Sequence, residues 1–282
     1  MPELPEVEVL VRHLRARVEG RRICEARVLR PALLESATVE EALARWVGRR
    51  IEAVRRRGKY IWLGLAVAGC DWVEGFWLHL GMTGRLWLQP QEAPLPLHTR
   101  AFWDLEDGRL VFSDPRALGR CGFGSEALQR LGPEPLDRSF TAVRLHRQLG
   151  RSRQSLKVRL MDQTVVAGLG NIYVCESLWE AGLSPFRSAE TLGRAECVRL
   201  AAAIRRVLRR AIRFGSGLEL DWAGTGRDRL FYFGRASGGE GRRPERFAVY
   251  EREGRPCRRC GASVRRVRQA GRSTYYCPVC QV

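Results

Sequence analysis

The chain opens MPELPEVEVL, and its second position carries the first chemically suggestive group. A small second residue permits removal of the initiator methionine, which leaves Pro2 as a free secondary amine. An α-amino group titrates at roughly 7.7–8.0, so part of it is unprotonated near neutral pH and able to attack electrophilic carbon. The product is an iminium, the chemistry that lysine Schiff bases perform. Val7, Leu10, Val11, Leu14 and Val18 recur at helical spacing, with Pro5 suited to a first turn and Glu6 and Glu8 to the positive end of the dipole. That leaves Pro2, Glu3 and Leu4 ahead of the helix. Taken alone, such a stretch reads as a frayed terminus.

The strongest pattern lies at the other end, in CRRCGASVRRVRQAGRSTYYCPVC. Cys257, Cys260, Cys277 and Cys280 form two Cys-x2-Cys knuckles separated by sixteen residues. Four thiolates make a closed tetrahedral site, so the spacing predicts one structural Zn2+ with no open ligand position. No organic cofactor is expected. Arg265, Arg266, Arg268 and Arg272 arm the intervening hairpin with charge suited to a phosphate backbone. The remaining cysteines, Cys24, Cys70, Cys121, Cys175 and Cys197, are scattered singly and read as reduced core thiols.

A net charge of +18 implies an anionic partner, for which nucleic acid is the usual candidate. The charge is spread along the chain, so a folded surface carries it. Of 49 basic residues only Lys59 and Lys157 are lysine. Where arginine is otherwise universal, the exceptions mark places that want a compact ammonium able to lose its proton. No apolar run reaches membrane-spanning length, and the acidic start is no signal peptide, so the cytoplasm is the expected location.

These residues need elements to hold them. IEAVRRRGKYIWLGLAV reads as two strands turning at Gly58 with Lys59 at the tip. FWLHLGMTGRLWLQ reads as a hairpin closing through Gly81–Gly84, and AFWDLEDGRLVFSD as another with Asp107-Gly108 in its turn. LGPEPLD, residues 131–137, reads as a linker. Helical pattern follows to about residue 214, where Ile204, Val207, Leu208, Ala211 and Ile212 form one face and Arg205, Arg206, Arg209, Arg210 and Arg213 a solvated one. In LMDQTVVAGLGNIYVCESLW, a helix ends near Gly168 and Asn171 caps the next. Met82 on one turn, with Arg116 and Leu118 on the DPRALG loop, would suit plugs that fill a gap in a base stack, although core methionine and solvated arginine is the plainer reading.

MPELPEVE, RGKY, HLGMTG, DPR, DQTVVAGLGNIY and the terminal cysteine hairpin occur together in this order. The combination resembles the bacterial formamidopyrimidine-DNA glycosylases, base-excision enzymes for oxidised purines. The resemblance implies an α+β chain: an N-terminal antiparallel β-sandwich with flanking helices over residues 1–135, a helix-two-turn-helix domain over 136–230 and a zinc-finger β-hairpin over 247–282. Double-stranded DNA containing damaged bases would lie in the cleft between, and a monomer would suffice. The resemblance makes Pro2 the nucleophile at the sugar C1′, Glu3 the acid in ring opening, Lys59 the phosphate contact or proton donor of β-elimination, and Arg272 the phosphate holder assisting δ-elimination. His98, Arg116, Arg153, Lys157 and Asn171 would contact DNA, and Met82, Arg116 and Leu118 would fill the space of the flipped base. The family's DPRRFG appears here as DPRALG, its paired histidines as His98 and Arg100, and its damaged-base loop has no cation beside Asp221. Oxidised pyrimidines as substrate, or a non-catalytic zinc-ribbon that only binds DNA, are the alternative readings.

Overall fold

Alternating apolar residues between Ile23 and Phe123 build two sheets, and the computed structural model describes them within residues 2–66, 73–217 and 247–282. The expected damaged-base loop around Asp221, the glycine-rich stretch 234–245 and Cys70 lie outside the described residues. The chain divides into two compact units, residues 2–129 with 215–217 and residues 130–214 with 247–282.

The first unit begins with α1 (Leu4–Val18), then β1 (Ile23–Val28), β2 (Leu34–Glu35), α2 (Val39–Trp46), β3 (Ile51–Arg57), β4 (Tyr60–Ala66), β5 (Val73–His79), β6 (Arg85–Gln89), β7 (Thr99–Leu105), β8 (Gly108–Ser113), β9 (Arg120–Phe123) and the short α3 (Glu126–Gln129). One sheet has the order β1-β7-β8-β6 and the other β2-β9-β5-β4-β3, antiparallel except for the two-residue β2–β9 pairing. Trp103 of the first sheet and Phe76 of the second meet at 5.6 Å between ring centroids, and Trp46 of α2 lies 5.2 Å from each. Aromatic burial of this size dominates the core that locks the sheets together.

FWLHLGMTGRLWLQ is not a hairpin. Its halves, β5 and β6, belong to different sheets, β5 pairing with β4 and β9 and β6 with β8. Gly81–Gly84 is therefore a crossing between layers, closed by Gly84 N–H donating to Leu80 O at 2.9 Å. Alternation sets which residues face inward but not which strand is the partner. In the β7–β8 hairpin Gly108 pairs with Leu105, so Glu106 and Asp107 form the turn. Cys24 is exposed rather than buried, because β1 shifts register between Ile23 and Glu25.

The second unit contains α4 (Ala142–Leu149), α5 (Leu156–Met161), α6 (Asn171–Ala181), α7 (Arg194–Ser216) and the hairpin β10 (Arg265–Gln269) with β11 (Arg272–Tyr276). Residues 132–135 are buried, with Gly132 N–H on Gln163 O at 2.8 Å and Ala167 N–H on Pro133 O at 3.1 Å, so the expected linker is packed structure. Arg205 is drawn from the solvated face of α7 onto the carbonyls of Pro135, Asp137 and Phe140. The finger is not a separate body: Cys175 of α6 shares a core with Val249, Cys257, Val264, Tyr275 and Cys277.

Gly81 has φ +63°, and a Cβ there would lie 2.7 Å from the Leu118 carbonyl carbon. Gly81→Ala should cost about 2–3 kcal/mol, since left-handed backbone costs an alanine about 1–2 kcal/mol and the methyl must also displace main chain. Urea unfolding midpoints at constant slope measure this, and a loss below about 0.5 kcal/mol would contradict the close approach.

Candidate active site, metal centre and nucleic-acid interface

The start of the chain is ordered, not frayed. Glu3 is the N-cap of α1 and Leu4 its first residue, so the helix begins one turn earlier than its apolar stripe. Glu3 and Glu6 form a reciprocal capping box, with Glu3 N–H donating to Glu6 Oε2 at 3.0 Å and the Glu3 side chain accepting from the Glu6 amide. Pro2 is buried, and Glu3 and Glu6 are 1% and 5% exposed. Two carboxylates thus sit at the positive end of a helix dipole beside a proline nitrogen, in a place shielded from bulk water.

Lys59 lies in the β3–β4 turn and is 7% exposed, with Gly58 at φ +58°. Arg56 ties this turn to α1. Its Nε donates to Glu8 Oε2 at 2.7 Å and its terminal nitrogen to Gly58 O at 3.1 Å. Burial works against the Glu8 charge, but Arg56 and Arg12 outweigh it and hold the carboxyl below its ordinary value. His79, at the end of β5, has its ring 4.8 Å from that of Tyr60 and tilted by 52°, and it accepts the Gly81 N–H at Nδ1. Burial, then the charges of Lys59 and Arg120, push His79 down to about 4.

Met82, Arg116 and Leu118 are brought together. Asp114 is fully buried and organises their loop, accepting from Thr83 Oγ1, from Arg116 N at 3.2 Å, and from Leu118 N and Gly119 N at 2.7 Å each. Arg116 reaches Met82 Sδ at 3.4 Å, and Met82 and Leu118 remain 41% and 40% exposed. Arg100 supports the loop from behind, donating to Asp114 O and Pro115 O, which is where the second histidine of the expected pair stands. His98 is exposed at φ +72°. Ala117 adopts φ +53°, an uncommon backbone for a residue with a side chain.

In the second unit, Asn171 does not cap α6. Gly170 is the N-cap, and Asn171 is the first helical residue, donating Nδ2 to Ser273 O at 2.9 Å. Lys157 is 1% exposed and donates to the same carbonyl at 3.0 Å and to Thr274 Oγ1 at 2.7 Å. Both side chains expected at the DNA backbone therefore hold the strand that begins with Arg272. Gln269, across the turn, donates to Ser155 Oγ at 2.6 Å and Pro185 O at 3.2 Å. Arg272 is exposed on the rim of a cavity of about 270 Å3 lined also by Gln154, Lys157, Asp162 and Gln269. Arg153 is exposed and pairs with Glu190 at 3.5 Å.

The ligand atoms of Cys257, Cys260, Cys277 and Cys280 lie within 4.8 Å of one another, with Sγ–Sγ separations of 3.9 Å for Cys257–Cys280 and 3.5 Å for Cys260–Cys277. Zn–S bonds of about 2.3 Å in a tetrahedron give edges of about 3.8 Å, so the donor set and its size fit zinc. Arg259 N–H and Cys280 N–H point at Cys257 Sγ and Cys277 Sγ, each at 3.4 Å.

Arg56, Asp114, Gln269 and Ser273 escaped the sequence reading. The Asp-Pro step and the threonine of HLGMTG were the available signal for Asp114; nothing distinguishes Arg56 from its two arginine neighbours.

Residues 1–121 match the formamidopyrimidine-DNA glycosylase N-terminal domain, 131–220 its H2TH domain, and 254–282 the zinc finger found in these enzymes and in isoleucyl-tRNA synthetases. The chain is similar to the formamidopyrimidine-DNA glycosylase of Carboxydothermus hydrogenoformans, 41% identical over 282 residues covering all of both chains. It is similar to the solved structure of the Lactococcus lactis enzyme bound noncovalently to DNA containing an abasic site, with TM-score 0.82 and 30% identity over 99% of each chain. A structure of MutM with DNA containing carbocyclic 8-oxo-G gives TM-score 0.84 and 30% identity at the same coverage.

Two outcomes are expected from this geometry. His79 stays neutral in the folded chain down to about 4, whereas an unfolded histidine takes up its proton near 6.5. The unfolded state alone gains that proton as pH falls through this window, so stability should drop by up to about 3 kcal/mol between pH 6.5 and 4 and level off below. Denaturation against pH should show this component in the wild type and lose it in His79→Gln; identical slopes would contradict it. For the metal, chelation or Cys277→Ser should expose the β10–β11 amides to hydrogen exchange while residues 2–129 stay protected, because binding energy at such a site is folding energy. Undiminished hairpin protection without metal would contradict it.

Proposed function

The chain belongs to the formamidopyrimidine-DNA glycosylase family, and we propose that it excises oxidised purines, 8-oxoguanine and formamidopyrimidines, from duplex DNA and cuts the strand by β,δ-elimination. It is a DNA glycosylase of base excision repair. What supports the chemical reading above all is the buried start of the chain: Pro2 held beside the Glu3–Glu6 capping box.

After removal of Met1, the Pro2 nitrogen attacks C1′, the C1′–N bond to the base breaks, and the base leaves with a proton. Glu3 is the proton donor during sugar ring opening, which leaves an iminium between Pro2 and C1′. A secondary amine gives an iminium that has no N–H to lose, so its charge persists and acidifies C2′. Loss of the C2′ proton expels the 3′ phosphate, with Lys59 as the cation at the reacting strand. Arg272 holds phosphate and assists the second elimination. Its exposure beside a cavity suits that contact. Lys157 and Asn171 act on the same strand of the finger through Ser273, setting Arg272 in place.

Met82, Arg116 and Leu118 fill the stack when the damaged nucleotide is extruded, a step that costs a few kcal/mol and needs an occupant for the gap. Leu118 offers an aliphatic wedge. His98 and Arg153 are further DNA contacts. Zinc supplies no bond-making chemistry; Cys257, Cys260, Cys277 and Cys280 use it to hold the hairpin. The protein works in the bacterial cytoplasm, at the nucleoid, as a monomer.

Borohydride should trap a covalent adduct between the processed protein and duplexes containing 8-oxoguanine or a formamidopyrimidine, with the adduct mapping to Pro2. Glu3→Gln should bind those duplexes but lose at least about a hundredfold in base release, the scale of a general acid. A processed protein that binds lesion DNA yet never yields an adduct would overturn the catalytic reading. A panel in which oxidised pyrimidines react faster would overturn the substrate class.

A further inference from the structure

Trp179 sits in the last turn of α6, and its indole Nε1–H donates to Cys257 Sγ at 3.3 Å. Cys257 is 4% exposed and also receives the Arg259 amide at 3.4 Å. A Zn2+ with four thiolates carries net charge −2, and hydrogen bonds to the sulfurs disperse that charge and tune the centre. We propose that Trp179 is a positioning residue for the metal centre: its N–H bond to the Cys257 thiolate, reinforced by Arg259, sets how firmly the finger retains zinc.

Arg259 completes the arrangement in three ways. Its guanidinium lies 4.5 Å over the Trp179 ring. It donates to the carbonyls of Trp179 at 3.1 Å and Glu180 at 3.3 Å, satisfying two acceptors at the end of α6. Its own amide is a further donor to Cys257, as is that of Cys260. A cation over the face of an indole draws on ring electrons, which makes the N–H a stronger donor. The first knuckle is thus fastened to the C-terminal end of α6 through the sulfur itself, and the second through Gln281, which donates to Leu183 O at 3.0 Å and accepts from Cys277 N at 2.9 Å. At its other end α6 holds Ser273 through Asn171. Helix α6 and the turn that follows it therefore grip both metal knuckles and the strand that begins with Arg272. A phenylalanine at 179 would fill the same space and keep a cation over its face, but it has no proton to offer the sulfur.

The full chain loaded with 113Cd and labelled with 15N gives a direct reading. A through-hydrogen-bond coupling between 113Cd and one indole proton should be present, and it should vanish with that proton's signal in Trp179→Phe. In the zinc-loaded protein, Trp179→Phe should release metal to a chromogenic chelator roughly tenfold faster. The thiolate-to-metal charge-transfer band of its Co2+ form should move to lower energy. A wild-type spectrum without the coupling overturns the proposal, whatever the variant does. A folded Trp179→Phe protein with unchanged release and an unchanged band overturns it equally.

Discussion

A carboxylate removed from water is costly unless hydrogen-bond donors reach it, and three buried acids of this chain are met in this way. Glu6 takes the Glu3 amide at the buried start of α1. Asp114 gathers four donors and so fixes the loop that carries Arg116 and Leu118. Glu176, inside the second unit, accepts the amides of Ala248, Val249 and Tyr250, each at 2.9 Å; burial pushes its carboxyl up and those three amides oppose the shift. In a chain of +18, the exposed arginines meet the outside while a few buried acids set the internal geometry.

The two lysines belong to the same logic. Lys59 and Lys157 are 7% and 1% exposed, so both survive where the fold encloses them. An ammonium is small enough to sit in such a space and can aim separate protons at separate acceptors, as Lys157 does toward Ser273 O and Thr274 Oγ1. A planar guanidinium needs a wider slot. The scarcity of lysine pointed to both positions but not to their burial.

Much of the architecture was legible because it rests on local rules. Helical spacing placed α1 and α7, alternation placed β3 to β8 though not β1, β2 or β9, and Cys-x2-Cys spacing assembled four sulfurs. What escaped depends on distant partners. β5 and β6 looked like a hairpin because a two-glycine turn joins them, yet β5 pairs with β4 and β9 in one sheet and β6 with β8 in the other. Asn171 has the residue type of a cap, but Gly170 takes the extended backbone of that position and frees the amide side chain for a strand a hundred residues away. Cys24 is turned outward by a register shift that no composition announces.

The common core of α6 and the finger bears on how such proteins exchange parts. Val249, Cys257, Val264, Tyr275 and Cys277 close against Cys175, and Trp179 packs on them from the same helix. Grafting the last thirty or so residues from a relative would bring in knuckles shaped to a different helix surface. A workable chimera has its seam upstream of α5, so that helix, turn and metal hairpin are inherited as one piece.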